Sequence, residues 1–190
     1  MGASRRRTAT VGDDLAPRYV VWELTLKCDL ACRHCGSRAG VARERELTLA
    51  EGERVIAELA AMGTEEITFI GGEAYLHPEW LGFVRAAARA GIRPTMTTGA
   101  RGMTRERAQE AARAGLVALS ASIDGLRDTH DRLRAVPGSF DAAVRALGHA
   151  REAGLKVRAN TQINQLNAAE LEDLARVLVV AGVGAWQVQL

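Results

Sequence analysis

Five junctions of one kind predict an α/β domain built on a parallel sheet: at each, an amphipathic stretch ends in a glycine and a β-branched run follows. A chain of 190 residues, 47% hydrophobic and 25% charged, holds enough apolar side chain for one well-cored domain. Low-complexity disorder and collagen-like repetition are excluded by that balance, with 19 glycines but only 4 prolines.

Each element has its own signal. Residues 19–26 read as the opening strand. Thr48-x-x-Glu51 resembles a capping box and starts a helix that ends at Met62-Gly63, before the strand Ile67-Thr68-Phe69-Ile70. Pro78 suits the first turn of a second helix, which runs to Ala90-Gly91 and the strand opened by Ile92. Thr104 caps a third helix ending at Ala114-Gly115, ahead of a strand over 117–123. Ser139 caps a fourth, which ends at Ala153-Gly154 before a strand from Val157. Asn167-x-x-Glu170 starts a fifth, ending at Ala181-Gly182 before a sixth strand over 185–190. Glycine just past a helix end takes the left-handed conformation without a Cβ clash, so it stops the helix.

Such alternation demands parallel strands with right-handed crossovers. A closed eight-stranded barrel takes about 250 residues, which leaves a partial barrel or an open doubly wound sheet. In both, ligands gather at the carboxyl ends of the strands. Residues 1–17, with Arg5-Arg6-Arg7 among Ser, Thr and Gly, read as a flexible N-terminal tail, and 18–190 as the folded domain. No apolar run approaches the ~20 residues of a membrane span, and no signal peptide is visible, so the expected location is cytoplasmic. A net charge of +2 and 4% aromatics speak against a nucleic-acid partner. No membrane partner is expected either.

The three cysteines, Cys28, Cys32 and Cys35, share one short loop after the first strand, in the order Cys28-Asp-Leu-Ala-Cys32-Arg-His-Cys35. A clustered, odd set in a cytosolic chain reads as a metal site rather than a disulfide framework. Three thiolates on one loop suit three irons of a 4Fe–4S cube and leave the fourth iron without a ligand from this motif. A structural zinc normally closes four ligands from separated pairs, and His34, between two cysteines, would strain the loop as the fourth. An electron-transfer cluster calls for a fourth cysteine, and a chance cluster of buried thiols is the bland alternative.

Other strand ends carry polar chemistry. Gly71-Gly72-Glu73 follows the second strand, where glycines admit close backbone approach and a carboxylate accepts from an ammonium group. As an isolated motif it is more often an ordinary turn. The fourth strand reads Leu119-Ser-Ala-Ser122-Ile-Asp124-Gly125, with His130-Asp-Arg-Leu-Arg134 beyond it. On the fifth, Asn160, Gln162 and Asn164 share one face, which suits a polar cavity because an unpaired buried amide costs ~1–3 kcal/mol. Gln187 and Gln189 repeat that pattern on the sixth. The alternative is a plain turn at Asp124-Gly125, a surface charge at Arg134, and amides that merely face water.

Together these motifs resemble the radical S-adenosylmethionine (radical SAM) enzymes, over roughly 19–190. Their signature is this cysteine spacing after the first strand, and His34 stands before the third cysteine as it does in many members of the SPASM/twitch branch. The resemblance implies a partial (βα)6 TIM-like barrel, truncated after the sixth strand, with the C-terminal auxiliary-cluster domain absent. It implies a 4Fe–4S cluster on Cys28, Cys32 and Cys35, with SAM on the open iron. Gly71, Gly72 and Glu73 would then hold the SAM amino group, Ser122 the ribose with Asp124 as helper, and Arg134 the SAM carboxylate through a bidentate fork. His34, Asn160 and Gln162 join them as cofactor-binding candidates. One departure stands out: the family's Thr-Asn-Gly after the third strand is here Thr97-Thr98-Gly99, so no contact is assigned there. His130 is expected to be structural or on the surface, and His77 and His149 belong to no motif.

The implied activity is reductive cleavage of SAM to a 5′-deoxyadenosyl radical that abstracts hydrogen from a substrate. That substrate is a peptide or a small molecule such as a cofactor precursor. The electron would come from a donor such as flavodoxin or ferredoxin. No side chain beyond the ligands is assigned a catalytic role. The alternatives are an iron–sulfur electron-transfer or sensor protein, or a core that binds SAM without turnover.

Overall fold

Among the described residues, six strands lie side by side in chain order in one parallel sheet: β1 (Tyr19–Glu23), β2 (Glu66–Ile70), β3 (Arg93–Thr98), β4 (Ala118–Ser122), β5 (Lys156–Gln162) and β6 (Ala185–Gln189). The computed structural model describes residues 16–190, so the tail expected over 1–17, Arg5-Arg6-Arg7 included, lies outside the described residues but for its last two positions. The helices are α1 (Leu49–Ala61), α2 (Trp80–Arg89), α3 (Arg105–Ala114), α4 (Arg127–Arg134), α5 (Ser139–Glu152) and α6 (Leu171–Val180). Sequential strand order decides between the two architectures. A doubly wound sheet reverses its order at a switch point, whereas right-handed crossovers in one direction place every helix on one face and curl the sheet toward a barrel.

Strand alternation separates the two faces. Ile67, Phe69, Met96, Leu119, Ala121, Val157 and Ala159 are buried under the helices, where Ile56, Phe83, Val84, Leu147 and Leu174 meet them. The alternate positions, among them Thr68, Thr95, Ser120, Arg158 and Asn160, line the concave face. None of the described helices is long and apolar enough to cross a membrane.

The junction glycines behave as the sequence implies. Gly63, Gly91, Gly115, Gly154 and Gly182 all have positive φ, between 77° and 104°, where a Cβ would clash. Thr48 forms a full capping box with Glu51, and Thr104 accepts from Arg107 N. Three start signals are corrected. Ser139 is the first residue of α5 rather than its cap, because its hydroxyl donates to Asp131 Oδ1 at 2.8 Å. Asn167 precedes a short 3-10 turn, Ala168–Glu170, but its side chain makes no cap bond: its amide donates to the carbonyls of Asp124 and Gln162 at 2.9 and 2.8 Å. Pro78 lies ahead of α2, whose cap is Glu79.

Two further differences matter for the site. The first strand stops at Glu23, because the N–H groups of Leu26 and Lys27 turn to Glu46 Oε1 and Thr25 Oγ1 instead of a neighbouring strand. The fourth crossover holds an unexpected helix, α4, ahead of α5.

Candidate cofactor site

The loop that follows β1 is closed at its base by two backbone bonds, Gly40 N to Leu26 O at 2.8 Å and Cys28 N to Gly40 O at 3.2 Å. Its far side rests on the end of α4, where Arg33 N donates to Leu133 O at 2.9 Å and Ala31 N to Arg134 O at 3.3 Å. These contacts satisfy helix-end carbonyls that would otherwise lack partners. All three cysteines are free thiols of intermediate exposure. Each sulfur accepts one N–H: Cys28 from Leu30 N at 3.4 Å, Cys35 from Ala39 N at 3.3 Å, and Cys32 from the Arg134 guanidinium at 3.5 Å.

That donor set fits a cluster. Hydrogen bonds to sulfur stabilise thiolate ligands, and a cube takes each thiolate on a different iron. Among the described residues no three His, Cys, Asp or Glu side chains converge on a single-ion site. Burial pushes the Cys28 thiol up to about 11, so ligation at that sulfur must release a proton.

Gly71 and Gly72 sit under the loop for a steric reason. A Cβ on Gly71 would lie 2.5 Å from Thr25 O, and one on Gly72 would lie 2.5 Å from Lys27 O and 2.6 Å from Leu26 O. The backbone they approach is therefore that of the cysteine loop, and Gly72 N and Glu73 N bond to Thr25 O and Lys27 O at 2.7 and 2.8 Å. Glu73 is buried beneath them. Its carboxyl accepts the Thr98 hydroxyl at 2.7 Å and Gly99 N at 3.0 Å, and burial raises it to about 8. The Thr-Thr-Gly departure thereby finds its role: Thr98 and Gly99 hold Glu73. Thr98 and Gly99 were missed because the partner of a strand-end hydroxyl is set by the neighbouring strand.

Asp124 is the hub of the opposite wall. It is almost fully buried, and its Oδ2 lies 2.6 Å from an Arg134 nitrogen and 2.9 Å from His34 Nε2. Its Oδ1 accepts Gln162 N at 3.0 Å, and its own N–H donates to His130 Nδ1 at 3.1 Å. Burial alone would raise this carboxyl, but the His34 hydrogen bond, the Arg134 cation and the Gln162 N–H outweigh it and hold it below the usual carboxylate range. His130 is buried; burial first, then Arg134, pushes its imidazole down to about 4 and keeps it neutral.

Between these walls lies a cavity of about 310 Å³ lined by Cys28, Cys32, His34, Cys35, Gly71, Gly72, Ser122, Asp124, Arg134, Asn160 and Gln162. The structure thus brings together every expected site residue except Glu73, whose carboxyl faces the Thr98 turn behind the lining. Gln189 lines the same cavity, and Gln187 a second one of about 300 Å³ that shares Thr97 and Asn160 with the first. Asn164 leaves the shared face: its amide bonds within its own turn, accepting from Leu166 N at 2.9 Å.

Fold and mouth together define a class, a partial barrel whose first loop offers three thiolates to a cluster and whose strand ends offer a polar cleft to a second ligand. The model of the radical SAM superfamily matches residues 22–178, and the chain belongs to that family. The family's cofactors are a 4Fe–4S cluster and SAM. The chain is 35% identical over 153 residues to the Fe-coproporphyrin III synthase of Methanosarcina barkeri, covering 80% of this chain and 38% of that protein. It is 33% identical over 162 residues to the mycofactocin maturase MftC of Mycobacterium tuberculosis, covering 84% and 41%. The crystal structure of Streptococcus suis SuiB bound to S-adenosylmethionine superposes with a TM-score of 0.80 at 19% identity, over 90% of this chain and 40% of that one. That likeness is one of fold. The chain spans about two fifths of the length of the curated relatives just named.

Proposed function

We propose that this chain is the catalytic core of a SPASM/twitch-type radical SAM enzyme. The observation that carries the reading is the mouth itself: three half-buried sulfurs, each with one N–H donor, facing a polar cavity at the strand ends. When bound, the reduced cluster supplies the electron that cleaves SAM to methionine and a 5′-deoxyadenosyl radical.

The chain's own residues bind and orient. Cys28, Cys32 and Cys35 would hold the 4Fe–4S cluster. The Gly71-Gly72 backbone meets the amino end of SAM, while Glu73 acts from behind as a buried carboxyl that keeps the turn in place. Ser122, on the cavity wall, takes the ribose. Asn160 and Gln162 line the same wall one strand away, within reach of SAM or substrate. Arg134 lines the same cavity and faces the SAM carboxylate as a cation; the bidentate fork is not open to it, because its two terminal nitrogens are turned to the Cys32 sulfur and to Asp124. Asp124 and His34 contribute by holding Arg134 and the loop rather than by touching the ribose.

The substrate is a peptide or a cofactor precursor, the two classes named among the relatives by a mycofactocin maturase, a sporulation killing factor maturation protein and an Fe-coproporphyrin III synthase. A small electron-transfer protein such as flavodoxin or ferredoxin reduces the cluster, and the reducing cytoplasm is the compartment such a cluster requires. Anaerobic reconstitution with iron and sulfide, followed by dithionite and SAM, tests the reading. It predicts 5′-deoxyadenosine and methionine in equal amounts. A loaded cluster that neither cleaves SAM nor changes its EPR spectrum when SAM is added overturns it and leaves an electron carrier or sensor.

A further inference from the structure

We propose that Arg134 sets the reduction potential of the cluster through its N–H bond to the Cys32 sulfur, with Asp124 as the residue that aims it. The inference deepens the cluster reading above and rests on it. Arg134 stands at the C-terminal end of α4, 102 residues after Cys32, and its guanidinium reaches that sulfur at 3.5 Å. Its side chain is 12% exposed and its second terminal nitrogen is pinned 2.6 Å from Asp124. Asp124 is itself fixed by the Gln162 N–H and by His34, which lies one residue before Cys35. The same helix end accepts two backbone bonds from Ala31 and Arg33, on either side of Cys32.

Cys32 thus differs from its two companions. Cys28 and Cys35 receive their N–H groups from the loop's own backbone, whereas Cys32 receives a cationic donor from another element. Reduction adds one negative charge to a cluster and its thiolates. A donor on sulfur therefore favours the reduced form, and a charged donor in a partly buried site does so more strongly than a neutral one. Arg134 makes the cluster easier to reduce, and its removal must shift the potential to more negative values.

The test compares reconstituted wild type, R134Q, R134Q/D124N and R101Q in anaerobic redox titrations without SAM, with the EPR signal of the reduced cluster as readout. R134Q alone leaves Asp124 uncompensated, which pushes the potential the same way as the lost bond. The double variant removes both charges and keeps only the loss of the bond. R101Q is the control for loosening, since Arg101 ties the same loop through Asp29 O at 2.9 Å without touching sulfur. R134Q is expected to disfavour reduction about tenfold, which is about 59 mV for a one-electron couple. The double variant is expected to keep most of that shift, and R101Q to show none. A double variant at the wild-type potential, or an R101Q shift as large as that of R134Q, overturns the proposal. A cluster that cleaves SAM yet ignores R134Q overturns this inference alone; a chain that assembles no reducible 4Fe–4S cluster overturns the functional reading as well.

Discussion

Replacing Gly72 with alanine tests what the glycine pair is for. The added Cβ would lie 2.5 Å from Lys27 O and 2.6 Å from Leu26 O, while real Cβ atoms essentially never approach within 3.0 Å. Both oxygens are main-chain and must retreat by about 0.5 Å to reach that limit. Neither is free to do so, because Lys27 O accepts Glu73 N and Leu26 O accepts Gly40 N, each at 2.8 Å. Weakening two backbone bonds costs about 1–3 kcal/mol apiece, so G72A is expected to lose about 2–6 kcal/mol. That is a large share of the ~5–15 kcal/mol that holds a domain together. Urea unfolding of the apoprotein, followed by circular dichroism, measures the loss, and iron bound per chain reports the displaced loop. Gly36 belongs to the same loop and has nothing within 4 Å of its would-be Cβ, so G36A should stay within about 0.5 kcal/mol of wild type. A G72A protein as stable as wild type, or a G36A protein as damaged as G72A, would refute the steric argument.

Three other outcomes follow from the same geometry. D124N leaves the Arg134 cation buried without its carboxylate and should cost about 3–5 kcal/mol; adding R134M should recover much of it, and strictly additive effects in the double-mutant cycle would count against the pair. T98V keeps the shape of Thr98 but deprives Glu73 Oε1 and Ala100 N of their partner, and should cost about 2–4 kcal/mol in the same unfolding assay. His130 titrates near 6.5 when unfolded and at about 4 when folded. Between those values the unfolded chain binds the extra proton, so stability falls as pH drops from 6.5 toward 4, by up to about 3 kcal/mol. H130Q should flatten that acid limb, and an unchanged slope would show that another group carries it.

Most of the scaffold was legible because its punctuation is local. A glycine in the left-handed region announces the end of a helix whatever surrounds it, and the Thr48–Glu51 box is complete within four residues. Helix α4 escaped for the converse reason: it ends on Ala135, at φ 55° instead of on a glycine, and buries only His130 and Leu133. The cysteines were visible as a motif, and their place after the first strand followed from the fold. The partners of Asp124 and Glu73 were not. Asp124-Gly125 reads as a turn in one dimension, and only the curled sheet brings His34 and Arg134 to the same carboxylate. Glu73 looks like a ligand in its motif, yet the third strand ends close enough to bury it against Thr98.

The bracing of the cysteine loop by the end of α4 also has a consequence for biogenesis. Cys32 and Arg134 are 102 positions apart, so a growing chain exposes all three thiols long before their support exists. At ~5–20 residues per second, that interval lasts roughly 5–20 s. The loop cannot take its final shape until the fourth crossover has left the ribosome, which makes cluster insertion a late event in the life of the polypeptide. During that window the thiols are open to oxidation and to stray metals, and the cell must either shield them or deliver iron and sulfide after folding.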